Sequence, residues 1–239
     1  MAKRAKRKTK SAKSGQRTLR QKVRRLVFQS VFAVAGLVVL LTLVYGLINP
    51  PTTPYMFAES RRVGGVEQEW VDLELIAPVM ARSAVAAEDA NFCWHWGLDV
   101  RAIRDAVEKG RGGASTISQQ TIKNLYLWQG RSWSRKAIEA FWTPVGELLW
   151  SKRRVLELYL NIAEFDEGVF GVQAASRHYF DRDAFDLSAR QAGLLAAMLP
   201  NPKERNAANP TRFVVDRAAR IADGAATIAA DGRADCFAL

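Results

Sequence analysis

Two acidic residues, Glu88 and Asp89, close an apolar run formed by Val79, Met80, Ala84, Ala86 and Ala87. Carboxylates at the C-terminal end of a helix oppose its macrodipole, which raises their pKa and suits one of them to accept a proton near neutral pH. Downstream, Glu157, Asn161 and Glu164 fall on one face of a second helix, with Arg153 four residues before Glu157. Glu88 and Glu157 are the candidate pair. Glycosyl transfer needs one carboxylate to move a proton and a second group to stabilise positive charge at the anomeric carbon. A diphosphate leaving group needs fixed cations, and Lys123, Arg131, Arg135 and Lys136 supply them. Each residue alone also has a plainer reading. Glu88 can be a solvated helix-end acid, Glu157 an ion pair with Arg153 on a wet face, His95 a packed structural histidine and Lys123 a surface lysine.

Other chemistries find little support. The chain has two His and two Cys, too few for a usual Cys/His zinc site, and it lacks H-E-x-x-H, G-x-S-x-G, Walker and G-x-G-x-x-G patterns. Asp181-Arg182-Asp183 has the D-x-D form of some metal-dependent transferases and reads equally as a solvated loop before Ser188.

The elements that must position these groups are predominantly helical. Asp72 is placed to cap the helix ending at Glu88, and Asp99 the helix stopped by Gly110. Thr116-x-x-Gln119 forms a capping box opening a helix to about Trp128, with the glycine-rich stretch 110–113 before it. Ser132 or Ser134 opens the next helix, with a bend expected at Pro144, and Ser151 caps the helix carrying Glu157. Asp166 to Gly171 reads as a glycine-bearing loop, followed by a helix to Phe180. A second capping box, Ser188-x-x-Gln191, starts an apolar helix that stops at Pro200. A surface helix from Val214 to Ala222 and a loose end complete the chain. Val66 to Val71 is the one short strand expected. Cys93 and Cys236, the only cysteines, show no spacing that signals a bridge, and none is expected.

The formal charge of +11 suggests nucleic acid until it is mapped. Residues 1–25 hold twelve Lys or Arg and no acid, leaving 23 basic and 24 acidic residues beyond them. Leu26 to Ile48 is free of charge and long enough, at about 1.5 Å per residue, to span roughly 30 Å of hydrocarbon. The chain therefore divides into a basic cytoplasmic tail (1–25), an uncleaved transmembrane anchor (26–48), a Pro-rich connector (49–65) and a globular domain (66–239) on the far side of the membrane. The basic tail sets topology and meets anionic lipid; nucleic acid is not the expected partner.

Glu88-Asp89-x-x-Phe92-x-x-His95-x-Gly97, Gly113-x-Ser115-Thr116-Ile117-x-Gln119-Gln120-x-x-Lys123-Asn124, Arg135-Lys136-x-x-Glu139 and Glu157-x-Tyr159-Leu160-Asn161 occur in this order. Together they resemble the ordered motifs of the peptidoglycan glycosyltransferases, most closely the monofunctional, membrane-anchored transglycosylases, since no transpeptidase S-x-x-K pattern appears. The resemblance covers Val63 to Pro202. It implies a mainly α, lysozyme-like helical domain behind a single N-terminal transmembrane helix, with a membrane-facing lobe, acting on lipid II and the growing glycan strand. Glu88 would be the general base and Glu157 would assist at the donor sugar. Lys123 and Arg131 would hold the diphosphate, and Asp89, Ser115, Gln119, Asn124, Arg135, Lys136 and Asn161 would line the substrate cleft. The family implies a bacterial inner membrane enzyme with a periplasmic domain, with cell-wall or division proteins as further partners. The sequence requires no cofactor; a divalent ion, Mg or Mn, is left open because the family responds to either while no dedicated ligand set is visible. A lytic glycan hydrolase and a non-catalytic scaffold are the rival readings.

Overall fold

The computed structural model describes residues 19–110, 115–130 and 132–238. The chain separates into two units, 1–41 and 42–239. Helix α1 (Leu19–Tyr45) is apolar enough to cross a membrane and supplies the described part of the first unit. Its last turn belongs to the second unit. There the Trp150 Nε1–H donates to the Thr42 carbonyl at 2.6 Å, and the Arg154 guanidinium donates to the carbonyls of Tyr45 and Ile48 at 2.8 and 3.0 Å. Of these, the Tyr45 carbonyl is one that the end of a helix leaves without an intrahelical partner.

The expected connector is not simply extended. Helix α2 (Pro54–Val63) forms inside it, with Thr53 accepting a hydrogen bond from the Met56 N–H and Pro54 in the first helical position. Proline read as a breaker is here a starter, because an N1 residue has no intrahelical N–H bond to lose. After strand β1 (Glu67–Gln68), Asp72 precedes only a 3-10 turn, Leu73–Leu75, with no side-chain cap. Helix α3 (Pro78–Glu88) starts later than expected, at Pro78, and ends at Glu88 as expected.

Helix α4 (Val100–Glu108) is capped by the Asp99 carboxylate, which accepts the Ala102 N–H. Helix α5 (Ile117–Tyr126) carries the expected capping box: Thr116 Oγ1 accepts the Gln119 N–H and Gln119 Oε1 accepts the Thr116 N–H, both at 3.1 Å. Helix α6 (Trp133–Leu149), capped by Ser132, continues through Pro144, and α7 (Lys152–Ile162) is capped by Ser151.

The stretch read as a glycine loop is a small sheet. Strands β2 (Glu164–Asp166) and β3 (Val169–Phe170) pair antiparallel, and β1 adds parallel to β3. Segments this short lack a visible period-2 pattern; Val169 and Phe170 are both buried. Gly171 has φ +82°, and a Cβ there would lie 2.8 Å from the Asn161 carbonyl oxygen, so the chain passes α7 at a distance only glycine allows.

Helices α8 (Val172–Phe180), α9 (Ala189–Met198, with its capping box) and α10 (Arg212–Ala230) complete the fold. The last is much longer than the surface helix expected and is not confined to the surface: Val214, Ala218, Ile221, Ala225 and Ile228 are buried. It packs on both α9 and α3. A Cβ on Gly193 of α9 would sit 2.6 Å from the Ala218 carbonyl oxygen, and one on Gly224 would sit 3.3 Å from Ala86 Cβ. Small residues therefore bring α10 against the helix that ends in Glu88.

The tail is not loose. Cys93 and Cys236 form a disulfide, contrary to the expectation of no bridge, and Phe237 is buried with its ring 6.1 Å from that of Phe92. Sequence separation hid the pairing; the return of α10 along α3 brings the two Cα atoms to 5.6 Å.

Candidate active site

Glu88 ends α3 with its side chain only 11% exposed. Its Oε2 accepts a hydrogen bond from Gln120 Nε2 at 2.8 Å, and its Oε1 lies 3.9 Å from Arg217 Nη2. Burial pushes its pKa above the usual carboxylate range, opposed by the Gln120 bond and by the charges of Arg217, Lys123 and Arg205. The sequence pointed to the helix dipole as the cause; desolvation is the larger influence. The result is a carboxylate poised to take a proton.

Asp89 does not point into the same space. Its Oδ1 meets His95 Nε2 at 2.8 Å and its Oδ2 accepts the Ile117 N–H at 3.0 Å. Thr116 Oγ1 donates to the Gly97 carbonyl at 2.6 Å. Asp89 thus sews the segment after Glu88 to the N-terminus of α5, so that Gln120 and Lys123 on α5 face Glu88. Gly97, at φ +80°, permits the close turn: a Cβ there would meet Thr143 Cγ2 at 2.5 Å.

Lys123 is the link to a cationic group on α6. Burial lowers its pKa and the nearby Arg135 and Lys136 lower it further, while Glu139 and Glu88 act to raise it. Arg135 Nη1 donates to Glu139 Oε2 at 2.6 Å, Lys136 donates to the other oxygen of Glu139, and Lys136 Nζ also reaches Ser115 Oγ at 2.9 Å. The Glu139 side chain is 3% exposed. One buried carboxylate therefore holds two cations beside a third, and this array can receive an anion adjacent to the Glu88 carboxylate.

Several expected site residues are used differently. Gln119 spends its side-chain oxygen on the capping box. The Asn124 side-chain oxygen accepts from Gln129 at 3.3 Å, and the residue is buried. Asn161 clamps the backbone of Val71, accepting its N–H and donating to its carbonyl at 2.9 Å each. Glu157 accepts the Leu73 N–H at 3.3 Å and pairs with Arg154, not Arg153; Arg153 pairs with Glu74. Arg154 is the residue that binds the carbonyls at the end of α1. Glu157 and Asn161 thus fix the segment between β1 and α3, and the described contacts do not join them to Glu88. Arg131 and the stretch 111–114 lie outside the described residues.

Four side chains at the site were given no role from the sequence: Gln120 and Glu139, which stand in the motifs, and Arg205 and Arg217, which do not. Glu139 was legible, since Arg135 and Lys136 stand four and three residues before it on one helix face. Gln120 follows Gln119 in a helix whose first turn was fixed by the capping box. Arg205 and Arg217 carry no local signal, because only the packing of α10 on α3 brings them there.

Among the described residues, Asp89, His95 and Asp99 are the one group of three whose ligand atoms fall within 4.8 Å of one another. Their carboxylate oxygens are each already engaged in a hydrogen bond. The Asp89 oxygens are taken by His95 and the Ile117 N–H, and those of Asp99 by the Ala102 N–H and by Asn91 Nδ2, at 2.9 Å each.

The chain thus joins an N-terminal helix apolar enough to cross a membrane to a helical domain that sets the Glu88 carboxylate near cations held by Glu139. Residues 57–226 match the protein family described as Transglycosylase. The chain is 57% identical over its full length to the full-length biosynthetic peptidoglycan transglycosylase of Jannaschia sp. (strain CCS1). It is 42% identical to that of Rhodospirillum centenum, over 89% of this chain and 96% of the relative, and 47% identical to that of Stutzerimonas stutzeri, over 78% and 81%. The chain belongs to the transglycosylase family and is a glycosyltransferase.

Proposed function

We propose that this protein polymerises lipid II into β-1,4-linked glycan strands during peptidoglycan synthesis, with Glu88 as the general base. The acceptor's 4-hydroxyl gives its proton to the free oxygen of Glu88 as that hydroxyl oxygen attacks the donor's anomeric carbon. The bond from that carbon to the phosphate oxygen breaks, configuration inverts, and undecaprenyl diphosphate leaves with the electron pair. Lys123, Arg135 and Lys136 meet the charge that develops on the leaving group, with Arg131 assigned to the same task by the motif it follows. Ser115 orients Lys136. The carrying observation is the adjacency of a buried, Gln120-anchored carboxylate to cations that Glu139 holds in place. A glycan hydrolase has no diphosphate to neutralise, so the array favours transfer.

In this reading Glu139 is the second carboxylate near the donor, supported by its bonds to Arg135 and Lys136, and Glu157, engaged by Arg154 and the Leu73 N–H, supports the fold. Asp89, Gln119, Asn124 and Asn161 act by holding the walls of the cleft.

We place the N-terminal tail in the cytoplasm of a bacterial inner membrane and the catalytic unit in the periplasm. The basic tail supports that orientation. A disulfide also persists in an oxidising compartment. Val100, Ile103 and Val107 line one face of α4 and stay exposed, as do Phe141 and Leu148 on α6, which suits contact with the bilayer carrying the substrate. Cell-wall or division proteins remain candidates for partners.

The test is incubation of detergent-solubilised protein with labelled lipid II and no nucleotide sugar, reading polymer on a gel. Lysozyme-sensitive polymer from the parent and none from Glu88→Gln is expected, the loss of a general base costing about 10²–10⁴-fold. Polymer from Glu88→Gln at the parent's rate would overturn the assignment.

A further inference from the structure

Helix α10 lies outside every motif that carries the family resemblance, yet it delivers a guanidinium to the candidate base. Arg217 Nη2 stands 3.9 Å from Glu88 Oε1, beyond hydrogen-bond reach and within the range of a direct charge interaction. Its Nε is buried and has no hydrogen-bond partner among the described residues. Arg205, on the segment between α9 and α10, adds a second positive charge; its Nη1 is anchored on the Ala197 carbonyl. The Glu88 carboxylate is thus divided in function: Gln120 holds one oxygen, while the other faces a cation that does not occupy it.

We propose that Arg217 is a positioning residue for Glu88, keeping the buried carboxylate anionic from across a gap and leaving Oε1 open to the acceptor hydroxyl. This rests on the reading of Glu88 as the base. A directly bonded arginine would compete with the hydroxyl for the same oxygen, and an absent one would leave burial to favour the protonated, inactive acid. The close approach that makes this work is set by Gly193 and Gly224, where α10 meets α9 and α3. The disulfide from Cys93, four residues beyond Asp89, to Cys236 ties the far end of the same C-terminal segment to the strip that follows the base.

The charged and titratable groups that act on Glu88 are Arg217 from α10, Arg205 from the segment before it and Lys123 from α5. Tyr159 of α7 feels the Glu88 and Asp89 charges, and burial with those charges keeps its hydroxyl protonated. Helix α9 carries one ionisable residue, Arg190, exposed in its first turn.

The experiment compares lipid II polymerisation from pH 5 to 9 by the full chain and by Arg217→Gln, Arg217→Lys, Arg205→Gln and Glu88→Gln. Removing a cation beside a carboxylate raises the pH at which it loses its proton, so the acid limb of kcat for Arg217→Gln should move up by about one pH unit or more. That variant should be about tenfold slower at the acidic end and approach the parent at the alkaline end. Arg217→Lys should restore most of the limb, and Arg205→Gln should shift it in the same direction by less. A uniform rate loss at all pH values, with the limb unmoved, would overturn the proposal. Should Arg217→Gln fail to fold, an acid limb left unmoved in Arg205→Gln and in a folded Arg217→Met would do the same. Failure of the base reading shows separately, as activity in Glu88→Gln.

Discussion

Replacing both cysteines, Cys93→Ser with Cys236→Ser, removes a link that closes a sequence separation of 143 residues. In the chain-entropy description, closing a loop of that length reduces the freedom of the unfolded chain by about 5 kcal/mol, an upper figure, and losing a native bridge typically costs about 2–5 kcal/mol. The folded unit spans 42–239. For a domain of that size each kcal/mol is worth about 2–4 °C of melting temperature, so a fall of about 4–20 °C is expected. The fold itself should survive, because Phe237 and Ala234 stay buried against Phe92 and the start of α3 without the bond. The assay is thermal melting of the parent with and without reductant, beside the double variant, with thiol counting in denaturant. Reduced parent and double variant should melt together, below the oxidised parent. Two titratable thiols in the untreated protein, with a melting point indifferent to reductant, would refute the pairing and with it the view that the C-terminal segment is fastened beside Glu88.

Glu88→Gln should abolish polymerisation while melting at or above the parent at pH 7. The raised pKa of Glu88 means that the folded state prefers its protonated form, so its contribution to stability is present at acid pH and lost as pH rises through the folded value. Each kcal/mol of burial cost relieved should appear as roughly 2–4 °C, and a clear fall in melting point at pH 7 would contradict that sign. Glu139→Gln should lower kcat/KM for lipid II at least about tenfold and destabilise by about 3 kcal/mol, because breaking a buried ion pair leaves Arg135, Lys136 and Lys123 facing one another. Kinetics with unchanged kcat/KM would remove Glu139 from the donor side of the site.

What the sequence made legible was what short-range chemistry dictates. The capping boxes at Thr116 and Ser188, the caps at Asp99 and Ser151, and the end of α3 at Glu88 all depend on residues within one turn of each other, and all occur as read. Pro54 is a local misreading, since Thr53 before it already offers a cap and makes the proline a helix starter. The other departures come from chain segments too short to show a period, as in the sheet, or from contact across long separations. The packing of α10 shows the second cause residue by residue: Gly193, Ala218, Gly224 and Ala86 are ordinary letters in the sequence, yet their small size lets α10 lie on α9 and α3. That single packing choice brings Arg217 to Glu88 and Cys236 to Cys93, and it turns an Ala- and Arg-rich segment without a motif into a wall of the site. Glu157 is the converse case. Its spacing with Asn161 marked one face of α7, while Glu164, read on the same face, lies in β2; that face meets Val71, Leu73 and Arg154. A carboxylate's position on a helix specifies which way it points; only the neighbour on that side decides whether it does chemistry.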